Sequence, residues 1–214
     1  MFIQVKDTPN PMSLQFLPGR TVMESGTMDF PNIQATNVSP LAKQLFRIDG
    51  VQRVFFAQDY ITVTKKDDDV DWAVLKPEIF AVIMDYFASN APVLTEGHVD
   101  AASQSLEVLE SDDETVALIK EILDSRVRMT LQEDGGDLQF MGYEDGVVKL
   151  RLQGACTGCP SSVVTLKMGI LRMLQWYVPE VKEILEVTDE TDKIAEVEFE
   201  KLEEKLRTKT PVTK

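Results

Sequence analysis

The chain has 214 residues, 43% of them hydrophobic and 27% charged, and 22 Lys plus Arg against 36 Asp plus Glu leave a formal net charge of −14. That length holds one large domain or two small ones, and the composition is that of a folded protein. A surface so acidic repels phosphate backbones and anionic bilayers, which argues against nucleic acid and membrane as general partners.

No apolar stretch is long enough to span a bilayer. The opening "MFIQVKDTPNP" has neither the basic-then-apolar order of a secretory signal nor the Arg-rich amphipathic pattern of a transit peptide. Two cysteines are too few for a disulfide-framed scaffold, so a reducing compartment is expected.

In chain order, "MFIQV" and "LQFL" read as short strands around a turn rich in Pro and Asn. "SPLAKQLFRI" reads as a helix, with Ser39 as N-cap, Pro40 at the first position, and Leu41, Leu45 and Ile48 on one face. "VQRVFFA" and "YITVTK" form a hairpin across Gln58-Asp59, and "VDWAVLKPEIFAVIMDYFA" is helical, with Pro77 opening a new segment or kinking the run. The run "KKDDDVD" reads as a solvated loop, and Trp72, Trp176, Phe55 and Phe56 as packing residues. The order β-β-α-β-β-α defines a first α+β domain over residues 1–92. It holds no ligand cluster, acid–base pair or phosphate loop, so its expected use is protein contact.

Residues 93–112 lose periodicity and read as a polar linker, with room for a short helical turn. His98, the single histidine, falls here and is expected to be solvated. A second domain, residues 113–189, opens with a helix over "DETVALIKEILDSRVRMTLQ", in which Val116, Ile119, Leu123 and Val127 recur at helical spacing. "EDGGD" forces a turn, where Asp134 and Asp137 serve turn and cap chemistry rather than a hard cation. "LQFMGY" and "VVKLRL" form a hairpin around Glu144-Asp145-Gly146. Then come "GACTGCPSS", a helix with Val163, Leu166, Ile170 and Leu174 on one stripe, and the strand "VKEILEV". Residues 190–214 read as an acidic helical tail, with Phe199, Leu202 and Leu206 at helical spacing. The fold class is α+β, as two small domains joined by a polar linker.

Both cysteines, Cys156 and Cys159, sit in one turn between a strand and a helix. Gly154 and Gly158 allow tight backbone conformations, and the helix start at Pro160 favours negative charge, so an accessible, ionised dithiol is expected. Such a pair is half of a four-sulfur metal or iron–sulfur site, which then needs two chains meeting at a two-fold axis. It is alternatively a complete thiol–disulfide oxidoreductase pair, although too few strand–helix units follow it for a thioredoxin-like fold. Zinc-stapled interaction modules and two plain structural cysteines are the remaining readings. The last fits a glycine-rich polar turn poorly.

The pieces "DGGDLQF", "VVKLRLQGAC" and "GACTGCPSS" leading into "TLKMGI" resemble the NifU-like C-terminal domain of the Nfu family of iron–sulfur scaffolds and carriers. "FIQVKDTPNPMSLQF", "SPLAKQLFRIDGV" and "ITVTK" resemble that family's N-terminal domain, so the likeness covers nearly the whole chain. The pairing looks like the family's eukaryotic mitochondrial branch with its transit peptide removed, which implies the mitochondrial matrix. The resemblance implies a non-enzymatic carrier that binds a cluster, mainly [4Fe–4S], between the subunits of a homodimer, here through Cys156 and Cys159. It further implies receipt from iron–sulfur assembly proteins and delivery to apo-proteins such as lipoyl synthase and respiratory enzymes.

Overall fold

A computed structural model describes residues 2–95, 101–157 and 160–188 of the chain. The first domain is a five-stranded antiparallel sheet of β1 (Gln4–Asp7), β2 (Ser13–Leu17), β3 (Met28–Phe30), β4 (Val51–Phe56) and β5 (Ile61–Lys65), in the order β1-β2-β5-β4-β3. Two helices, α1 (Pro40–Leu45) and α2 (Trp72–Ala88), cover one face. The Ser39 side chain accepts the Ala42 N–H, so the expected cap is present, and Leu41, Leu45 and Ile48 are buried as their spacing requires. Pro77 neither opens nor ends a helix; α2 runs through it from Trp72 to Ala88. Strand β3 was not expected: three residues are too few to show a period of two.

Alternation along the strands separates two faces. Leu14, Phe16, Val54, Phe56, Ile61 and Val63 join the helices in one core. The opposite face carries Ser13, Gln15, Asp29, Arg53, Phe55, Thr62 and Thr64. An antiparallel sheet with such a polar face ordinarily turns it to water, yet Gln15 is 2% exposed and Thr62 1%.

The second domain has its own core around Ile119, Leu123, Leu131, Leu138, Leu150, Ile170 and Leu174. Residues expected as linker instead carry α3 (Ala101–Leu106), whose Ala102 and Leu106 are buried and whose Ser105 hydroxyl accepts the Phe140 N–H at 2.9 Å. Six residues with one large apolar side chain have no readable periodicity; packing on the neighbouring strand holds this turn. The expected long helix comprises α4 (Glu114–Ile122), a wider π-type turn at Leu123–Arg128, and α5 (Met129–Glu133). Asp113 caps its start by accepting the Val116 N–H. Strands β6 (Gly136–Glu144) and β7 (Val147–Gly154) form the expected hairpin, closed by Asp145 and Gly146 at positive φ. A crossover through α6 (Pro160–Tyr177) brings β8 (Glu183–Glu186) parallel to β7.

The polar sheet face of the first domain is buried because the second domain sits on it. Tyr60 Oη donates to the Gln132 carbonyl at 2.6 Å, Gln15 Nε2 to the Glu133 carbonyl at 3.2 Å, and Thr62 Oγ1 to the Gly135 carbonyl at 2.8 Å. Lys6 Nζ also reaches the Glu133 carbonyl, at 3.1 Å. These acceptors lie at and just past the end of α5, where carbonyls are left with room for a further donor; those of Gln132 and Gly135 also accept the Gly135 and Ala155 N–H groups. The first domain thus caps a helix of the second.

Candidate functional site

Strand β7 ends in the cysteine turn. Gly154 has φ +61°, and a Cβ there would lie 2.6 Å from the Gly135 carbonyl oxygen and 2.9 Å from Phe55 Cγ. Only glycine fits this position. The turn is closed by the Ala155 N–H on the Gly135 carbonyl at 3.1 Å and by Thr157 Oγ1 on the Gly154 carbonyl at 2.8 Å. On the facing strand, a Cβ on Gly136 would stand 2.5 Å from Cys156 Sγ. The glycine pair of "DGGD", read from sequence as a turn signal, therefore also clears the seat of the Cys156 sulfur.

Cys156 is free and buried, 9% exposed. Cys156 lines a cavity of about 370 Å³ together with Pro9, Asn10, Leu131, Asp134, Ala155, Thr165 and Leu166. Burial pushes the Cys156 thiol up to about 12, and the carboxylates of Asp134, Asp137, Asp29 and Glu186 add to the rise. This corrects the expectation of an accessible, ionised thiol. Burial of the Cys156 sulfur disfavours attack by that thiol. Cys159 and Gly158 lie outside the described residues, as do His98 and the expected tail, residues 190–214. Among the described residues, no three His, Cys, Asp or Glu side chains gather to hold a metal ion.

Three first-domain side chains hold the cysteine turn directly. Asn10 Nδ2 donates to the carbonyls of Ala155 at 3.0 Å and Thr157 at 2.8 Å, bracketing Cys156. Asp29 accepts the Gly154 N–H at 3.2 Å and is paired with Arg53 at 2.7 Å. Arg53 in turn donates through Nη1 to Thr157 Oγ1 at 2.9 Å. The sequence reading missed these residues. Each is polar and lies far from the motif in the chain, so only the assembled fold brings them to it.

The two "DGGD" carboxylates have different roles. Asp137, fully buried, accepts Arg128 Nε at 3.0 Å, Thr27 Oγ1 at 2.6 Å and the Leu138 N–H at 2.8 Å. It anchors a buried guanidinium and ties Thr27 of the first domain to the second. Asp134 lines the cavity, and burial raises its carboxyl above the ordinary value. The "KKDDD" loop is exposed from Lys66 to Asp69, and Phe55 and Phe56 point to opposite sheet faces. Trp72 packs against the first core, while Trp176 is exposed. No helix among the described residues is long and apolar enough to cross a membrane.

Residues 3–90 match the family described as "Scaffold protein Nfu/NifU N terminal", and residues 119–185 match the NifU-like domain. A protein of Drosophila willistoni named as an NFU1 iron–sulfur cluster scaffold homolog, mitochondrial, is 56% identical over 210 residues, 98% of this chain and 71% of that protein. Its namesake in Drosophila virilis is 55% identical over 213 residues, 99% of this chain and 70% of that one. Among solved structures, a NifU-like protein of Saccharomyces cerevisiae is 28% identical, covering 45% of this chain and 87% of its own, with a TM-score of 0.41. The two Drosophila relatives are named as scaffolds.

Proposed function

This chain belongs to the Nfu family of iron–sulfur cluster scaffolds, and from that premise we propose that Cys156 and Cys159 bind a [4Fe–4S] cluster completed by the same pair from a second copy. The single observation that carries the reading is the donor count. A cubane cluster takes four protein ligands, usually thiolates, and this chain has two cysteines, both in one turn. A second copy supplies the missing pair through a two-fold axis.

The raised thiol has a chemical consequence for loading. Iron binds thiolate, so coordination must displace a proton that the metal-free site holds firmly. The bound iron then supplies the positive charge that the acidic surroundings lack. Within one chain the buried thiol stays protected from oxidation until iron arrives. Release to an apo-protein follows by exchange of ligands at the boundary between two subunits.

The names of the relatives support placing the protein in mitochondria, and the family resemblance implies the matrix. By family resemblance the donors are assembly proteins and the recipients include lipoyl synthase and respiratory enzymes. The test is anaerobic reconstitution with iron and sulfide, reading iron, sulfide and mass together. The expected result is four irons per dimer, abolished in both Cys156→Ala and Cys159→Ala. A saturated cluster in a monomer without added thiol, or stoichiometric zinc with no cluster absorption, overturns the reading.

A further inference from the structure

The face of the second domain that presents Cys156 is occupied by the first domain. Pro9 and Asn10 wall the cavity that Cys156 lines, and Asn10, Asp29 and Arg53 bond the turn itself. A cluster shared between two copies needs a second cysteine turn within a cluster's width of this sulfur. A cavity of about 370 Å³ is of a size that takes a small ligand. It does not also admit a loop of another protein.

The interface has the chemistry of a contact made to be released. Gln15, Thr62 and Asn10 are neutral polar side chains, and they bond to backbone carbonyls. Such bonds exchange for bonds to water at small net cost. The charged groups in the contact, Asp29 and Asp137, are each paired within their own domain, with Arg53 and Arg128, and keep those partners when the domains part. On the sheet face the apolar cluster is small, Phe55, Ala57 and Tyr60 with Leu17 packed against it, and Pro9 adds apolar contact at the cavity. Each domain keeps a separate hydrophobic core that does not depend on the contact. Polar contacts between domains of one chain behave as transient interfaces.

We propose that the polar sheet face of the first domain and a second copy of the chain compete for the cysteine-bearing face of the second domain, so that the cluster-bridged dimer forms only with the first domain undocked. This rests on the cluster reading above. The first domain then covers the thiol in the metal-free chain and leaves it when two copies meet.

The test uses the full chain and two substitutions on the sheet face, Thr62→Glu and the milder, isosteric Gln15→Glu. Each places a carboxylate against carbonyl oxygens beside Asp134, while the first domain's own core is untouched. In a metal-free Cys159→Ser background, iodoacetamide labelling of Cys156 at fixed pH should rise about tenfold or more in either variant. In the chain with both cysteines, hydrogen exchange of the Asn10 side-chain amide, followed by NMR, should be slow without metal. It should approach that of a free carboxamide once iron and sulfide have produced the dimer. Unchanged labelling in both folded variants overturns the proposal. So does a loaded dimer in which the Asn10 amide stays protected, a result that leaves the cluster reading standing. Failure of every form to take up iron and sulfide removes the cluster reading and the competition with it, whatever the labelling shows.

Discussion

Replacing Asp137 by asparagine keeps the shape of the side chain and removes its charge. The carboxylate is fully buried and receives Arg128 through Nε at 3.0 Å and Nη2 at 3.0 Å, with Thr27, Gln132 and the Leu138 N–H as further donors. Asparagine retains one acceptor, but its NH₂ group faces donors and leaves the Arg128 guanidinium buried beside a neutral partner. Breaking a buried pair from one side costs about 3–5 kcal/mol. Asp124, 3.4 Å from Arg128 Nη1 and half exposed, recovers part of that. The expected loss is therefore about 3 kcal/mol, a large share of the 5–15 kcal/mol typical of a domain. Hydrogen exchange of the β6–β7 amides reads the second domain alone, and should speed up by about two orders of magnitude in Asp137→Asn. A loss below about 1 kcal/mol would show that water or another acceptor satisfies Arg128, and would refute the anchoring role.

Gly136→Ala drives a methyl group against Cys156 Sγ and the Gln153 carbonyl oxygen, each 2.5 Å away. It should cost about 1–3 kcal/mol and lower cluster loading in protein that still folds, measured by urea unfolding and iron content. Leu138→Ala, at a fully buried position of the second core, should cost about 3 kcal/mol in urea unfolding. Burial raises both Cys156, from 9.0 to about 12, and Tyr60, above its usual 10.0, so folding favours their neutral forms. That stability is fully present below pH 9 and is lost as pH rises toward 12, a fall that thermal melts at stepped alkaline pH should show and Tyr60→Phe should lessen. The Lys120 ammonium bonded to Asp112 at 2.7 Å holds that carboxyl below its ordinary range. The bridge should therefore survive as pH falls to about 3.8 and open only beneath it, as NMR titration of the carboxyl carbon would record.

The parts that were legible in the sequence are those written locally. The Ser39-Pro40 start, the stripe of Ile119, Leu123 and Val127, the Asp145-Gly146 hairpin and the strand at Glu183–Glu186 each depend on residues a few positions apart. The cysteine spacing belongs with them, since valence is a property of residue type and number. The period of two in β2 and β5 is equally local, and it puts Gln15 and Thr62 on the face opposite Phe16 and Val63 whatever lies beyond them.

What covers that polar side was decided only by the tertiary structure. Nothing near Asn10 in the chain signals that its carboxamide will bond the Ala155 carbonyl beside Cys156, 145 residues away, or that Thr27 will reach Asp137. The same long-range approach reversed the expected direction for the thiol: the helix start predicted a lowered value, but burial, with four carboxylates adding to it, raises it. Local rules carry the backbone and the donor atoms. Solvent exclusion and charge summed over the assembled fold determine the protonation state of those atoms and how open they are to a second chain.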